Sequence, residues 1–309
     1  MSDRRLRLTI VGGFLGSGKT TWLRHQLFEG RFAGAHIIVN EAAGTPVDDA
    51  FLGTDDSVTV LADGCACCEG AARFQATLVA LCDQRSQGEG PEAIVLETSG
   101  LADPGAIIAL IQAHPILVRQ IVVADVCVVV DALHARVQLE EFTLARAQID
   151  VADHLIVTKT DAADPDHSAR VLKTLAMLAP SARVSLATFG SARATPDIPL
   201  GTRPYQLGDS GTINAVTPVQ LDLGDSPDWT ALTLWLSALL HARGATLIRT
   251  KGVIETPAGR LLLQAVRNQV QSPEILPPSA TRRPTDNILI LIGQDLSQDQ
   301  LARSFAALS

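Results

Sequence analysis

Along the first two-thirds of the chain, short apolar runs alternate with amphipathic stretches. Leu6–Val11 reads as a buried strand and Thr20–Glu29 as a helix. His36–Asn40 and Val58–Leu61 read as strands, Arg73–Gln84 as a helix, Ala93–Glu97 as a strand and Gly105–Ala113 as a helix. Then come a strand at Val126–Asp131, a helix at Leu139–Ala147, a strand at His154–Thr158, a helix at Asp166–Leu178 and a strand at Arg183–Ala187. Strands that are apolar throughout, with helices between them, predict an α/β fold: a mainly parallel sheet covered by helices on both faces.

The alternation stops near Ser191. From there to Ser210 the chain is rich in Pro, Gly, Thr and Asp, the composition of a linker. Beyond it the order changes. Thr217–Leu223 reads as a strand, and Asp228 as the N-cap of a helix running to Ala242. Strand-like segments follow at Thr246–Glu255, Arg260–Val270 and Asn287–Ile292, then a closing helix at Ser297–Leu308. The expected organisation is a nucleotide-binding domain over residues 1–195, a linker over 196–211 and a smaller α+β domain over 212–309.

Composition narrows the function classes. Apolar residues make up 47% and aromatics only 4%, so the core must be aliphatic. The longest apolar run, Ile121–Asp131, is broken by Asp125 and is too short for the roughly 20 residues that cross a bilayer. Glycines and a lysine follow the first apolar stretch too soon for a signal peptide, which points to the cytoplasm and away from a membrane. A net charge of −8 provides no overall field for nucleic acid. Lysine is scarce, at positions 19, 159, 173 and 251, against many arginines. Five cysteines, an odd number, argue for a reducing compartment and against a disulfide framework.

Two of those lysines fall in nucleotide motifs. Gly13 to Thr20 (GFLGSGKT) fits G-x-x-x-x-G-K-[ST], with an apolar strand before it and an amphipathic helix after it. Gly13, Gly16 and Gly18 let backbone amides, with that of Ser17, wrap phosphates without Cβ clashes. The following helix turns its positive N-terminus to the same anion. Lys19 reaches the terminal phosphates, and the Thr20 hydroxyl can ligate Mg²⁺. An acid at a second strand end should complete the metal site. Glu97, which opens Glu97-Thr98-Ser99-Gly100, is preferred because Gly100 adds an amide for a γ-phosphate; Asp131 is the runner-up. Thr158-Lys159-Thr160-Asp161 follows another strand. A carboxylate there can accept both hydrogens of the guanine N1–H/N2–H₂ edge, which adenine lacks.

Cys65, Cys67 and Cys68 form a third constellation, in a loop after the strand at Val58–Leu61. Thiolates suit Zn²⁺ and related divalent ions. A tetrahedral site needs further donors: Glu41, a histidine, water or a second subunit, the last of which suits a homodimer. A redox-active thiol pair and a coincidence of spacing are the competing readings. Cys82 and Cys127 stand alone in apolar patterns and read as core residues.

Taken in order, GGFLGSGKTT, VNE, GCACC, LETSGLADP and VTKTD resemble the CobW-like metallochaperone GTPases. TLIRTKGVIE, GRLLLQAV and NILILIGQDL resemble the C-terminal domain of the same family. The resemblance implies GTP hydrolysis to GDP, with Mg²⁺, coupled to delivery of zinc, cobalt or another transition ion into a client metalloprotein. It assigns phosphate and Mg²⁺ to Gly16, Lys19, Thr20 and Thr21, the hydrolytic switch to Glu97 and Gly100, guanine to Lys159 and Asp161, and the cargo ion to Cys65, Cys67, Cys68 and Glu41. The chain departs from the pattern in four places. Residues 40–44 read Asn-Glu-Ala-Ala-Gly where Asn-Glu-Phe-Gly-Glu is usual, and Thr158 stands where Asn is usual. Glu69-Gly70-Ala71 replaces the usual Thr-Leu-Arg, and the seven histidines are scattered instead of clustered. The rival readings are a P-loop ATPase or kinase acting on a small molecule, and a non-hydrolysing metal or redox sensor.

Overall fold

The computed structural model describes residues 5–40, 58–61, 70–196, 198–207, 216–225, 227–244, 246–257, 259–266, 269–276 and 286–307. These residues fall into two compact units, one over Leu6–Thr212 and one over Ile213–Ser309 that also takes in Arg5.

The first unit is built on an eight-stranded sheet. In chain order its strands are β1 (Leu6–Gly12), β2 (Ala35–Asn40), β3 (Val58–Leu61), β4 (Ala93–Glu97), β5 (Ile121–Asp131), β6 (His154–Thr158), β7 (Arg183–Thr188) and β8 (Ser191–Arg193). Across the sheet they run β3-β2-β4-β1-β5-β6-β7-β8, all parallel except β8, which folds back on β7. The helices described between them are α1 (Lys19–Phe28), α2 (Ala71–Ser86), α3 (Pro104–Ala113), α4 (Leu117–Gln120), α5 (Ala135–Glu141), α6 (Thr143–Asp150) and α7 (Pro165–Leu178). The mainly parallel sheet expected from the apolar runs is therefore the one observed, and with the Gly13–Thr20 loop after β1 it has the P-loop NTPase-type architecture. Val11, Val39, Val95, Val129 and Ile156 pack with Trp22 and Leu23 of α1 into one aliphatic cluster. Each such side chain contributes roughly 1.5–3 kcal/mol on leaving water. This cluster seats α1 directly behind the Gly13–Thr20 loop.

Some boundaries differ from the sequence pattern for identifiable reasons. The strand expected to begin at Val126 begins at Ile121. The register of β5 against β1 slips by one residue between Val123 and Asp125, and the strand continues through the charged position. The expected helix Leu139–Ala147 is instead two helices broken at Phe142, whose backbone is extended at ψ 110°. Its ring packs on Phe14 with centroids 4.8 Å apart, and a continuous helix would not present it this way. Within 196–211, expected to be linker, Tyr205 and Leu207 are buried. The Tyr205 hydroxyl lies 2.6 Å from His167 Nδ1, and the Arg170 guanidinium sits 3.9 Å over its ring.

The second unit has a six-stranded antiparallel sheet. Its strands are β9 (Val216–Asp222), β10 (Leu247–Thr256), β11 (Gly259–Val266), β12 (Gln269–Val270), β13 (Glu274–Ile275) and β14 (Ile288–Gln294), ordered β12-β11-β10-β14-β9 with β13 beside β11. The strand expected over Arg260–Val270 folds back, because Val266 pairs with Gln269. Helix α8 (Trp229–Arg243) starts at the Asp228 cap, whose carboxylate accepts from the amides of Thr230 and Ala231. Trp235 of α8 and Phe305 of α9 (Gln298–Ala306) meet edge to face over Leu221, Leu263, Leu289 and Leu291. Among the described residues, no helix is long and apolar enough to cross a membrane.

Candidate nucleotide and metal site

The central strand β1 has β4 on one side and β5 on the other, so the crossovers diverge at its carboxyl end, where open parallel sheets take ligands. The Gly13–Thr20 loop sits there. Gly13, Gly16 and Gly18 all have positive φ, at 136°, 72° and 89°. A side chain on Gly13 would also run into the Val129 carbonyl of β5. The loop therefore has both the backbone sign and the clearance that only glycine provides. Lys19, the first residue of α1, is buried and donates to the carbonyls of Gly13 at 3.0 Å and Phe14 at 3.2 Å. Burial pushes its pKa down, and the charge of Glu97 partly restores it. An ammonium held this way gains from an anion arriving in the loop. Thr21, one residue on, is exposed.

Glu97 ends β4 next to that loop. Thr20 Oγ1 donates to Glu97 Oε1 at 2.5 Å, which joins the first turn of α1 to the end of β4 through two oxygens. Hard oxygens in this pairing fit Mg²⁺ better than a soft ion. The turn after Glu97 lies close under the phosphate loop: the Thr98 amide donates to Val11 O at 2.9 Å. Gly100 lies so near Leu15 that a Cβ would stand 2.8 Å from the Leu15 amide nitrogen. Gln148 of α6 holds this turn from behind, through bonds to the carbonyls of Gly100 at 3.3 Å and Ala102 at 2.8 Å. The sequence pattern did not single out Gln148. A polar residue on an amphipathic helix reads as solvent-facing, yet Gln148 is only 1% exposed.

The Thr158–Asp161 segment closes the other side. Thr158 Oγ1 donates to Ser17 O at 2.7 Å and also contacts Val130 O at 3.2 Å. Lys159 takes the left-handed conformation, φ 59°, and its ammonium bridges Gly16 O and Asp131 Oδ2, both at 2.7 Å. Asp131 also accepts from His134 Nδ1 at 2.8 Å and from the Leu133 amide at 2.9 Å. Burial works against its ionisation, but the bonds from Lys159, His134 and Leu133 outweigh burial and hold the carboxyl below its ordinary value. Asp131, the alternative metal carboxylate, is thus engaged by Lys159, whereas Glu97 is engaged by Thr20. Asp161 is exposed and lines a cavity of about 560 Å³ with Thr160, Ser168 and Thr188.

Glu41, Cys65, Cys67 and Cys68 lie outside the described residues. The strands that lead to them are described. Asn40, immediately before Glu41, pairs in register with Leu61, four residues before Cys65. Val39 in turn pairs with Glu97. Both strands therefore run out at the edge that carries the phosphate loop.

Comparison with known proteins agrees with this arrangement. Residues 7–185 match the family described as CobW/HypB/UreG, nucleotide-binding domain, and residues 219–309 match the cobalamin synthesis protein cobW C-terminal domain. The zinc chaperone YjiA of Escherichia coli (strain K12) is 29% identical, with 98% of each chain covered. The crystal structure of Zn(II)-bound YjiA GTPase from E. coli superposes with a TM-score of 0.61 at 26% identity, covering 99% of each chain. The zinc-regulated GTPase metalloprotein activator 1 of Schizosaccharomyces pombe is 26% identical over 59% of this chain and 46% of its own length.

Proposed function

The chain belongs to the CobW/HypB/UreG family, and from that premise we propose that it is a GTPase that carries a transition metal, zinc first among them, to a client metalloprotein. The observation that carries the reading is the 2.5 Å bond from Thr20 to Glu97 beneath the glycine loop, at the edge where β2 and β3 run out toward Glu41 and the three cysteines. In this reading the amides of Gly13, Gly16, Ser17 and Gly18 and the Lys19 ammonium hold the β- and γ-phosphates, with Thr21 beside them. Thr20 and Glu97 hold Mg²⁺, which neutralises charge on the phosphate oxygens when bound. The Gly100 amide meets the γ-phosphate. The Asp161 carboxylate accepts from the guanine edge, with the Lys159 stem along the base. Cys65, Cys67 and Cys68, with Glu41, take the cargo ion through soft sulfur donors. Because Glu97, Gly100 and the outgoing ends of β2 and β3 share one edge, loss of the γ-phosphate is positioned to alter the grip on the ion. Intrinsic turnover is expected to be slow, since no arginine finger is identifiable in the sequence.

The test is phosphate release and metal stoichiometry on one purified sample, with and without added zinc. The reading expects GTP-specific phosphate release, bound zinc, and zinc affinity that differs between GDP and a non-hydrolysable GTP analogue. Cys67→Ser should lose the metal and keep nucleotide affinity. Displacement of labelled GDP by ATP as readily as by GTP would favour a small-molecule ATPase or kinase. Tight binding of both ligands without phosphate release would favour a sensor.

A further inference from the structure

Strands β5 and β6 carry a second constellation, away from the nucleotide edge. Cys127 and His154 are register partners, so their side chains leave the same face of adjacent parallel strands. Asp125, two residues before Cys127 on β5, falls on that face as well. One donor atom from each of Asp125, Cys127 and His154 lies within 4.8 Å of the other two, and they are the one such group of three among the described residues. The Cys127 thiol donates to Asp125 Oδ2 at 3.7 Å, and His154 Nε2 stands 2.7 Å from Ser185 Oγ. The surrounding charges are Asp153, which accepts from the Val126 amide at 3.0 Å, Arg183, 3.3 Å from Asp125, and Arg31.

We propose that Asp125, Cys127 and His154 form a second site for a divalent transition ion, separate from the three-cysteine loop, with water as the fourth ligand. The chemistry is that of zinc or cobalt: one thiolate, one imidazole and one carboxylate around a tetrahedral ion. Donors bound to such an ion stand about 3.5 Å apart, so side-chain rotation need close the observed spread by only about an ångström. Ser185 steadies the imidazole, as the outer partners of metal-bound histidines do. Asp125 is partly exposed and its partner Arg183 is 72% exposed, so the guanidinium can swing away and open a path for the ion. Without metal, burial pushes the Cys127 thiol up and keeps its proton in place. Binding exchanges that proton for the ion: the S–H bond breaks, an S–metal bond forms, and one H⁺ leaves to solvent with no change of oxidation state. The site stands whether or not the three-cysteine loop carries the cargo.

The experiment is a Co²⁺ titration of the full chain in which Cys65, Cys67 and Cys68 are changed to Ser. The expected result is one Co²⁺ per chain with a thiolate-to-cobalt charge-transfer band. The band should vanish in the further Cys127→Ser variant. His154→Gln and Asp125→Asn should weaken Co²⁺ binding on the order of tenfold or more and leave GDP affinity unchanged. Cys127 is buried, so His154→Gln in the otherwise unaltered chain is the check on folding, and it should lower the total Co²⁺ stoichiometry by one. Absence of the band from the chain lacking the loop cysteines overturns the proposal. So does a band that survives Cys127→Ser, which would point to Cys82 as the source.

Discussion

The same two strands carry different chemistry at their two ends. At the carboxyl ends of β5 and β6, Asp131 holds Lys159, whose ammonium donates to Gly16 O, and Thr158 donates to Ser17 O, so the contacts with the glycine loop run to its backbone oxygens. About 13 to 20 Å back along β5, Cys127 and Asp125 meet His154 and Arg183 side chain to side chain. The difference follows from the sheet. Past the carboxyl ends of the strands the chain leaves the ladder, so free amides and a helix N-terminus can receive an anion. Farther back the backbone groups are committed to pairing, and side chains alone can bind. One end therefore suits a polyanion with a hard cation, and the other a bare soft ion. Perturbations of one end should leave the other standing.

The strongest way to break that separation is Lys19→Ala. This substitution removes a buried cation that hydrogen-bonds loop carbonyls, and it should cut GTP turnover by about 10²-fold or more, as the loss of a preorganised charge at a phosphoryl centre does. The fold should survive, because burial of that ammonium is itself unfavourable. Phosphate release and thermal unfolding measured together check both halves. A Lys19→Ala chain that also failed to take up Co²⁺ at Cys127 would show that the two ends are one site.

A finer probe is Thr158→Val, which keeps the shape and removes the hydroxyl that ties β6 to Ser17 O. One neutral hydrogen bond is worth about 0.5–1.5 kcal/mol, so GDP affinity should fall roughly two- to tenfold. Titration with labelled GDP reads this directly. Unchanged affinity would mean that the loop holds its shape without the tether.

The two ends were not equally legible in the sequence. The glycine loop is a contiguous motif, and its chemistry lies in residue types at fixed spacing. The apolar runs likewise announce a parallel sheet, since only strands covered on both faces can be apolar throughout. Gln148 is different: its role is to hold the carbonyls of Gly100 and Ala102, more than forty positions away, and nothing local marks it. The break at Phe142 was hidden for the same reason, because it is set by the ring of Phe14. Cys127 read as an ordinary core thiol, because its neighbour His154 arrives only through the β5–β6 register. The three-cysteine loop was legible as a pattern, but its residues lie outside those described.

The smallest expected effect concerns pH and bears on the carboxyl end alone. Asp131 holds Lys159 against Gly16, and its carboxyl lies below the ordinary value despite burial. A carboxyl depressed in the folded state binds its proton more readily once unfolded. Its contribution to stability is therefore complete above the unfolded-state value of about 4, and is lost as pH falls through the lower folded-state value. Asp131→Asn should accordingly lower stability at neutral pH and flatten the acid side of the stability curve. The two chains should converge only once pH has fallen through the depressed folded-state value, where both side chains are neutral. Urea unfolding of the nucleotide-free protein across that range checks the sign. His154 belongs to the other end, and its pKa is lowered by burial, with Arg183 adding to the effect. A buried imidazole of this kind favours the folded state while neutral and costs stability as pH falls from the unfolded value, near 6.5, toward the lower folded one. Any slope between pH 4 and 6.5 that persists in Asp131→Asn and disappears in His154→Gln therefore belongs to the Cys127 end. A slope there that disappeared with Asp131 instead would mean that the two ends titrate together.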